Sequence, residues 1–288
     1  MFIHLFLSFV LLHQVACQIS CYICPLERNS FQYNITTENI PTQLNNCTIE
    51  NEQQYCIVQI EWKENPKIET TIRLAGYTNP YPRSSFPPHT LAVNAYIPND
   101  PNRFEREVRH FLSYSCSTNQ CNQPAVLKPL LESLIMNDQL NELEYLLKSN
   151  QTFDPQWCLS FQNTSYFSQR NDSKDCNQCR NYLTYKNQWK AVDAYCYTSV
   201  YPENRLGYEV TFDLKDQTRS HSWMIQCQAP NCSSMNNMKQ ITEKIQIEFD
   251  VNTFLKRTSA GRSIVHSTNF HKTIFMFVLV LFIDLFWF

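Results

Sequence analysis

Cysteine is the residue type that most constrains the fold of this chain. The 288-residue sequence contains 13 cysteines. Twelve fall in two groups of six, namely Cys21, Cys24, Cys47, Cys56, Cys116 and Cys121, followed by Cys158, Cys176, Cys179, Cys196, Cys227 and Cys232. An even number of cysteines in a secreted chain predicts that all of them are paired as disulfides. We therefore expect two small modules stabilised by disulfides.

The thirteenth cysteine, Cys17, ends a segment with the features of a signal peptide. Residues 1–17 contain no Lys, Arg, Asp or Glu, and residues 5–12 form an apolar core too short to span a bilayer. Cleavage after Cys17 would make Gln18 the first residue of the mature chain. A short buried strand or helix at the N-terminus is the alternative interpretation.

The C-terminal residues have the three parts of a glycosylphosphatidylinositol (GPI) attachment signal. Residues 259–261 are small, residues 262–273 form a polar spacer, and the apolar tail that follows contains one acid, Asp284. At about 1.5 Å per residue this tail is shorter than a hydrocarbon core of about 30 Å. We expect attachment at Ser259 and removal of residues 260–288, which would leave the protein on the outer leaflet of the plasma membrane. A short transmembrane tail is the alternative.

Six N-x-S/T sequons support passage through the secretory pathway. They begin at Asn34, Asn46, Asn150, Asn163, Asn171 and Asn231.

Composition excludes several functions. The chain has only 3 glycines, far apart, whereas phosphate-binding loops and the nucleophile elbow need two or three of them close together. A net charge of −2, without a run of basic residues, does not indicate nucleic-acid binding. We expect no nucleotide, no cofactor and no nucleic-acid partner.

The two cysteine groups indicate an internal duplication. Each ends in C-x4-C, at Cys116 and at Cys227, and each contains a Tyr-Cys pair, ending at Cys56 and at Cys196, that begins two alternating apolar runs around a Pro/Asn turn. Such runs predict a β-hairpin in each repeat, over residues 55–75 and 195–214. We place module 1 at residues 18–124 and module 2 at residues 151–234.

Each module is followed by an amphipathic stretch. Leucines at three- and four-residue spacings predict one or two helices in the linker, residues 125–150, and a weaker pattern predicts a helical or stalk segment at residues 235–259. We expect each apolar face to pack on its own module, with self-association through the leucines as the alternative.

Module 1 also contains a Pro-rich segment, residues 77–103, for which the sequence shows no counterpart in module 2. An extended surface loop that carries aromatic residues is a candidate recognition element. The candidate binding residues are Tyr77, Tyr81, Arg83, Phe86 and Tyr96.

Module 1 contains C-x2-C at Cys21, a Tyr-Cys strand at Cys56 and a closing C-x4-C-N at Cys116. This cysteine pattern resembles the lymphocyte-antigen-six and urokinase-receptor superfamily of three-finger, snake-toxin-like proteins. It implies three hairpins that radiate from a disulfide cluster, and the pairs Cys21–Cys56, Cys24–Cys47 and Cys116–Cys121. We therefore expect a mainly β, disulfide-rich fold with two three-finger-like modules, each followed by an amphipathic helical segment.

Module 2 departs from this pattern, because it begins with the single Cys158 and has its C-x2-C inside the module. It also has Ser233 after the last cysteine, where module 1 has Asn122. Cys227–Cys232 carries over from the resemblance. The other four cysteines allow three pairings, of which Cys158–Cys196 with Cys176–Cys179 is one.

The sequence supports a catalytic, redox or metal-binding role less well than a protein-binding role. The C-x2-C pairs would need further soft ligands to hold zinc, and a thioredoxin-type dithiol would need a helix N-terminus beside it. In the predicted mature segment only His89, His110 and His221 remain, and we interpret them as surface residues. We expect no metal and no catalytic residue. The sequence thus predicts a cell-surface protein that binds an extracellular or membrane protein. A self-associating coat or adhesion protein is the alternative, and a secreted redox or hydrolytic enzyme is the third hypothesis.

Overall fold

The computed structural model describes residues 18–64, 67–78, 89–99, 108–163, 176–186, 189–200 and 203–260. These described residues are mainly β, with 49% strand and 21% helix, and contain six bonded cysteine pairs. The prediction of a mainly β, disulfide-rich fold is confirmed.

Fourteen strands make up about half of the described residues. In chain order they are β1 (Ile19–Ile23), β2 (Ser30–Phe31), β3 (Thr48–Gln53), β4 (Tyr55–Glu64), β5 (Ile68–Tyr77), β6 (Thr90–Asn99), β7 (Arg109–Cys116), β8 (Leu134–Asp138), β9 (Phe161–Gln162), β10 (Gln178–Lys186), β11 (Trp189–Tyr197), β12 (Asn204–Asp213), β13 (Thr218–Cys227) and β14 (Ile245–Phe249).

Short helices connect or follow the strands. The α-helices are α1 (Leu127–Ser133), α2 (Met235–Lys244) and α3 (Val251–Ala260), and 3-10 helices cover Leu26–Arg28, Pro124–Val126, Leu140–Leu147 and Pro155–Trp157. None of the helices in the described ranges is long and apolar enough to cross a membrane.

One antiparallel sheet of ten strands runs through both modules. Its order is β2-β5-β4-β7-β6-β12-β13-β10-β11-β9, so the modules meet where β6 pairs with β12. That pairing extends from Thr90 opposite Asp213 to Asn99 opposite Asn204. Four apolar residues of β6, namely Leu91, Val93, Ala95 and Ile97, are almost fully buried on the face toward the core. The junction therefore has the continuous backbone pairing and the apolar packing of a sheet interior.

Module 2 repeats the strand order of module 1 in reverse across this junction, since β5-β4-β7-β6 is followed by β12-β13-β10-β11. The predicted hairpin over residues 55–75 is confirmed as β4 and β5. The predicted hairpin over residues 195–214 is wrong, because β11 pairs with β10 while β12 pairs with β13 and β6. Cys179 lies opposite Cys227 just as Cys56 lies opposite Cys116, so Cys179, and not Cys196, is the structural counterpart of Cys56.

The interpretation of residues 77–103 as one loop is also wrong. Thr90–Asn99 is the strand β6, and its counterpart in module 2 is β12. The alternation in T-L-A-V-N-A-Y-I is a strand pattern, but prolines on both sides of it indicate a loop. Pairing on both edges of β6 outweighs the local signal of these flanking prolines.

Each of the six disulfides joins two cysteines of the same group. In module 1 the bonded pairs are Cys21–Cys56, Cys24–Cys47 and Cys116–Cys121, the pairs that the resemblance implies. In module 2 they are Cys158–Cys179, Cys176–Cys196 and Cys227–Cys232. The pairing Cys158–Cys196 with Cys176–Cys179 is therefore wrong. Because Cys179 is the counterpart of Cys56, its partner Cys158 takes the position of Cys21.

Asn122 joins three strands of module 1. Its fully buried side chain accepts a hydrogen bond from the backbone N–H of Tyr22 (2.9 Å) and donates to the backbone oxygens of Tyr22 (2.7 Å), Ile57 (3.2 Å) and Ala75 (3.3 Å). In module 2 this position is Ser233, whose backbone oxygen accepts from the Asn181 amide at 2.7 Å. The two modules thus use different side chains to fix the same closing turn.

The segments that follow the modules pack across the junction. The 3-10 helix Leu140–Leu147 buries its leucines against both β6 and β12. The α3 residue Phe254 is fully buried, with its ring 5.3 Å from that of Tyr114 in module 1, and β8 pairs with β14. The expectation that each apolar face packs on its own module is therefore wrong. The helix prediction also missed β8 and β14, which separate the helical turns in each segment.

Candidate recognition surface

The two faces of the large sheet differ in composition. Side chains on one face form the core with the helices, while the other face, which we call the open face, carries tyrosine, arginine, glutamine, serine and threonine. Strand residues alternate between the faces, so Arg205, Gly207 and Glu209 of β12 lie on the open face. Glu209 is exposed at its centre. Tyr96, Arg180 and Arg205 are partly exposed, so solvent reaches polar and aromatic side chains of this face in both modules.

At the junction, aromatic rings and a guanidinium from different modules are in contact. Tyr96 of β6 stacks on Phe111 of β7 with ring centroids 6.0 Å apart. The guanidinium carbon of Arg205, from module 2, lies 4.5 Å from the centroid of the Tyr96 ring. This cation–π contact exists only because β6 and β12 pair in this register.

Module 2 continues this surface around Arg180 of β10. Its guanidinium carbon lies 3.7 Å from the centroid of the Tyr197 ring and 5.6 Å from that of Tyr182. Its Nε donates to Oε1 of Gln226 at 2.9 Å, and its Nη1 donates to the hydroxyl of Tyr195 at 3.4 Å. The Arg180 guanidinium thus lies between aromatic rings and neutral hydrogen-bond acceptors.

Burial and neighbouring groups shift the pKa values here. Burial disfavours the charged form of Arg180, but the hydrogen bond to Tyr195 and the nearby tyrosine oxygens outweigh it, so the pKa of Arg180 is raised. Burial raises the pKa of Tyr182, although the charge of Arg180 opposes the shift. At neutral pH the surface therefore presents a cationic arginine and a neutral phenol.

The structure brings two of the five sequence-predicted binding residues to the open face. Tyr96 lies at the junction, and Tyr77, at the end of β5, stacks on Tyr55 with centroids 5.1 Å apart. The other three, Tyr81, Arg83 and Phe86, lie outside the described residues. Sequence reasoning missed Arg180 and Arg205, because strand pairing places Arg180 beside the tyrosines of β11, and Arg205 beside Tyr96 of β6.

A second cluster of polar groups is buried beneath the junction. His110 of β7 is 4% exposed, which shows that its interpretation as a surface residue is wrong. Its Nε2 lies 2.9 Å from Oδ2 of Asp138 in β8, and the hydroxyl of Tyr208 in β12 donates to the same oxygen at 2.6 Å. Nδ1 of His110 lies 3.9 Å from the carboxylate of Glu64. The cluster connects module 1, the linker and module 2.

The pKa values in this cluster favour an imidazolium paired with a carboxylate. Burial disfavours protonated His110, but the hydrogen bond and charge of Asp138 outweigh it and raise the pKa of His110. Burial opposes ionisation of Asp138, yet hydrogen bonds from His110 and Tyr208 hold its pKa below the usual value. Burial, followed by the Asp138 charge, raises the pKa of Tyr208 well above its usual value. The arrangement acts as a hydrogen-bonded ion pair in the core.

The other two histidines occupy different settings. His221 is half-buried and stacks on Trp223 with ring centroids 5.1 Å apart; burial, then the charge of Arg219, lowers its pKa to about 4. Nε2 of His89 lies 2.8 Å from Oγ of Ser117, beside a cavity of about 520 Å³ between the Cys116–Cys121 loop and α3. A hydroxyl and an imidazole in contact are two members of a nucleophilic triad, which also requires a group that orients the imidazole.

Three cysteine sulfurs of module 2 lie close enough together to hold a metal ion. The Sγ atoms of Cys158, Cys176 and Cys196 are all within 4.8 Å of one another. All three are bonded in disulfides, to Cys179 or to each other. Because a metal requires free thiolates, this cluster can serve as a ligand set only after reduction.

The predicted sequons differ in their surroundings. Asn34, Asn46, Asn150 and Asn231 are exposed, and Asn171 lies outside the described residues. The side chain of Asn163 is also exposed, but it bonds to β11: its Nδ2 donates to the backbone oxygen of Lys190 at 3.1 Å, and its Oδ1 accepts from the N–H of Val192 at 2.7 Å. The side chain of Asn163 thus contributes two hydrogen bonds to the edge of the sheet.

No protein-family model, no curated protein and no solved structure matches this chain.

Proposed function

We propose that this chain is a GPI-anchored, N-glycosylated cell-surface protein that binds another protein through the open face of its sheet. The contact between Tyr96 and Arg205 carries the proposal, because it joins both modules in one surface of aromatic rings and arginine. Tyrosine and arginine are enriched among the residues that dominate binding energy in protein interfaces. The bound partner would be a soluble ligand or a neighbouring receptor or channel.

The three-finger character of module 1 is part of this proposal. It is supported by the hairpins β1–β3, β4–β5 and β6–β7, of which the first two are linked by Cys21–Cys56. Cys24–Cys47 closes the first hairpin and Cys116–Cys121 follows β7. Module 2 is proposed as a divergent copy, since β10–β13 repeat the order of β4–β7. In both modules rigid strands hold the open face, which reduces the entropy lost on binding.

The proposed anchor fits the course of the chain. The α3 helix, which contains Ser259, ends beside the Cys116–Cys121 loop. Because β6 and β12 are antiparallel, the disulfide ends of the two modules lie at opposite ends of the sheet. A lipid attached at Ser259 would hold the protein by the disulfide end of module 1.

Treatment of intact cells with phosphatidylinositol-specific phospholipase C should release the protein, because only a lipid anchor contains the bond that this enzyme cleaves. Release is measured by immunoblotting of the medium, with a variant that carries a full-length transmembrane helix after residue 258 as the control. Retention of the native protein, together with detection of Phe288 by mass spectrometry, would instead show a membrane-spanning tail.

A glycan placed on the open face tests the function. The substitution Glu209→Asn creates the sequon Asn-Val-Thr with the native Thr211, at an exposed position in the centre of the face. Asp216→Asn creates Asn-Gln-Thr with the native Thr218, at the exposed β12–β13 turn. Both glycans have the same chemistry, so a difference between the variants reports the location of binding.

Proximity labelling on intact cells that express the full chain provides the measurement. The Glu209→Asn variant should lose the labelled neighbours of the wild type, because a glycan excludes a partner from the whole face, and the Asp216→Asn variant should retain them. Glycan occupancy is checked by mass spectrometry. If the occupied Glu209→Asn variant labels the same neighbours as the wild type, the open face is not the binding surface.

The self-association alternative required an available leucine face. The structure buries those leucines, including Leu127, Leu130, Leu143 and Leu147, in the core. No observation on the described residues favours a coat or adhesion role over partner binding.

A further inference from the structure

Two arginines of the open face occupy one row across the sheet. Gln226 of β13 lies opposite Arg205 of β12 on one side and Arg180 of β10 on the other. Since neighbouring strands lie about 4.8 Å apart, the Cα atoms of the two arginines are roughly 10 Å apart. Tyr195 extends the row on β11, opposite Arg180.

The side chain between the arginines is itself held in place. Nε2 of Gln226 donates to Oε1 of Gln178 at 3.1 Å and to the backbone oxygen of Glu203 at 3.1 Å. Oε1 of Gln226 is therefore oriented toward Arg180 and accepts a hydrogen bond from its Nε. Together with the rings of Tyr197 and Tyr182, these bonds fix the plane of the Arg180 guanidinium before any ligand binds.

Within the described residues neither guanidinium forms an ion pair. Among the described residues, the polar partners of Arg180 are the neutral groups Gln226 and Tyr195. Arg205 contacts the ring of Tyr96, and no described residue accepts a hydrogen bond from its buried Nε. Arg109, on the same face, is different, because its Nη1 lies 3.5 Å from the carboxylate of Glu61. The sheet thus pairs Arg109 with a carboxylate and leaves Arg180 and Arg205, among the described residues, without one.

We propose that Arg180 and Arg205 form a paired binding site for the carboxylates of an acidic segment on the protein partner, an inference that rests on the proposed function of the open face. A guanidinium matches a carboxylate with two parallel N–H···O bonds, and partial burial strengthens such bonds. Five N–H groups are available to each guanidinium, and Arg180 uses only some of them in the contacts above.

The setting favours an acidic protein segment over a sulfated polysaccharide. A polyanion is bound by many cationic side chains, each of which neutralises an anionic group, whereas this row offers two cationic side chains. The surrounding tyrosines, Tyr96, Tyr182, Tyr195 and Tyr197, provide contact area for protein side chains at low entropic loss. Specificity would come from the fixed separation of the two guanidiniums.

The direct test uses the purified full-length glycoprotein in detergent and three fluorescent probes: hexaglutamate, hexaglutamine and heparin. Fluorescence anisotropy at low ionic strength should show binding of hexaglutamate but not hexaglutamine. Arg205→Gln should weaken hexaglutamate binding at least about tenfold, because it removes one of the two guanidinium groups that bind carboxylates. Arg109→Gln removes the same charge from an existing ion pair and should change binding less than about twofold.

Arg205→Gln is the primary variant because, within the described residues, no hydrogen bond of the fold depends on that side chain; thermal unfolding confirms that the variant is native. Equal binding of hexaglutamate by the wild type and Arg205→Gln would overturn the inference, as would no binding by the wild type or binding of heparin alone. Proximity labelling separates this failure from that of the proposed function. If Arg205→Gln retains all neighbours while the Glu209→Asn glycan removes them, the open face binds a partner without this carboxylate site.

Discussion

Module 1 expressed alone, as residues 18–124, should fail to form a stable monomer. This truncation exposes the whole edge of β6, ten residues long, that pairs with β12 in the native chain. It also removes Phe254 and the leucines of Leu140–Leu147 from the core. Long unpaired apolar edges associate with other strands, so we expect aggregation or dimerisation through β6 and the loss of a cooperative thermal transition.

Circular dichroism and size-exclusion chromatography, with residues 18–260 as the matched control, measure this effect. The control retains β12, α3 and all six disulfides and should be monomeric with one thermal transition. A monomeric module 1 that melts at the same temperature as the control would mean that the sheet junction contributes nothing to stability.

Substitution of Asp138 by Ala should be among the most destabilising changes of a single side chain. It leaves the imidazole of His110 and the hydroxyl of Tyr208 buried without their shared acceptor. Breaking a buried ion pair by removing one partner costs about 3–5 kcal/mol. Asn137→Ala, on the adjacent and exposed residue of β8, is the matched control and should change the unfolding free energy by less than about 0.5 kcal/mol.

The pH dependence of this effect has a definite sign. Because the folded pKa of His110 is raised above 6.5, its contribution is fully present below pH 6.5 and is lost as the pH rises through the folded value. Because the folded pKa of Asp138 is lowered below 3.8, its contribution is present above pH 3.8 and is lost as the pH falls through the folded value.

Denaturant unfolding of the wild type and Asp138→Ala at several pH values measures this dependence. The difference in unfolding free energy should be largest between pH 3.8 and 6.5 and smaller in alkaline solution. A difference that is constant from acidic to alkaline pH would contradict the assignment of a charged His110.

The parts of the fold that sequence predicts are local. The alternating runs on both sides of residues 65–66 are adjacent in the chain, and they form the β4–β5 hairpin. The run at residues 195–214 has the same local pattern but does not form a hairpin, because β11 instead pairs with β10 and β12 with β6. Local alternation identifies strands, whereas partner choice depends on packing over the whole sheet.

In the binding surface, too, local sequence identifies some residues, whereas long-range strand pairing determines the contacts between them. Tyr96 could be singled out from the sequence as an aromatic residue in an unusual segment, although it lies in a strand and not in a loop. Arg205 is 109 residues away (205 − 96 = 109), and nothing near it in the chain indicates a tyrosine neighbour. The pairing of Gly207 with Tyr96 brings the two side chains together. A surface built across a long-range strand junction has no compact sequence signal.

Hydrogen exchange across the junction tests most directly whether the two modules share one continuous sheet. In an antiparallel ladder about half of the β6 amides point toward β12, and the others toward β7. If the sheet is continuous, all the hydrogen-bonded amide hydrogens of Thr90–Asn99 and Asn204–Asp213 should be protected from exchange. They should exchange only with global unfolding, as we expect for the amide hydrogens of β4 and β10. Rapid exchange of about half of the amides in both peptides, with the remainder protected, would show two separate sheets and contradict the continuous open face.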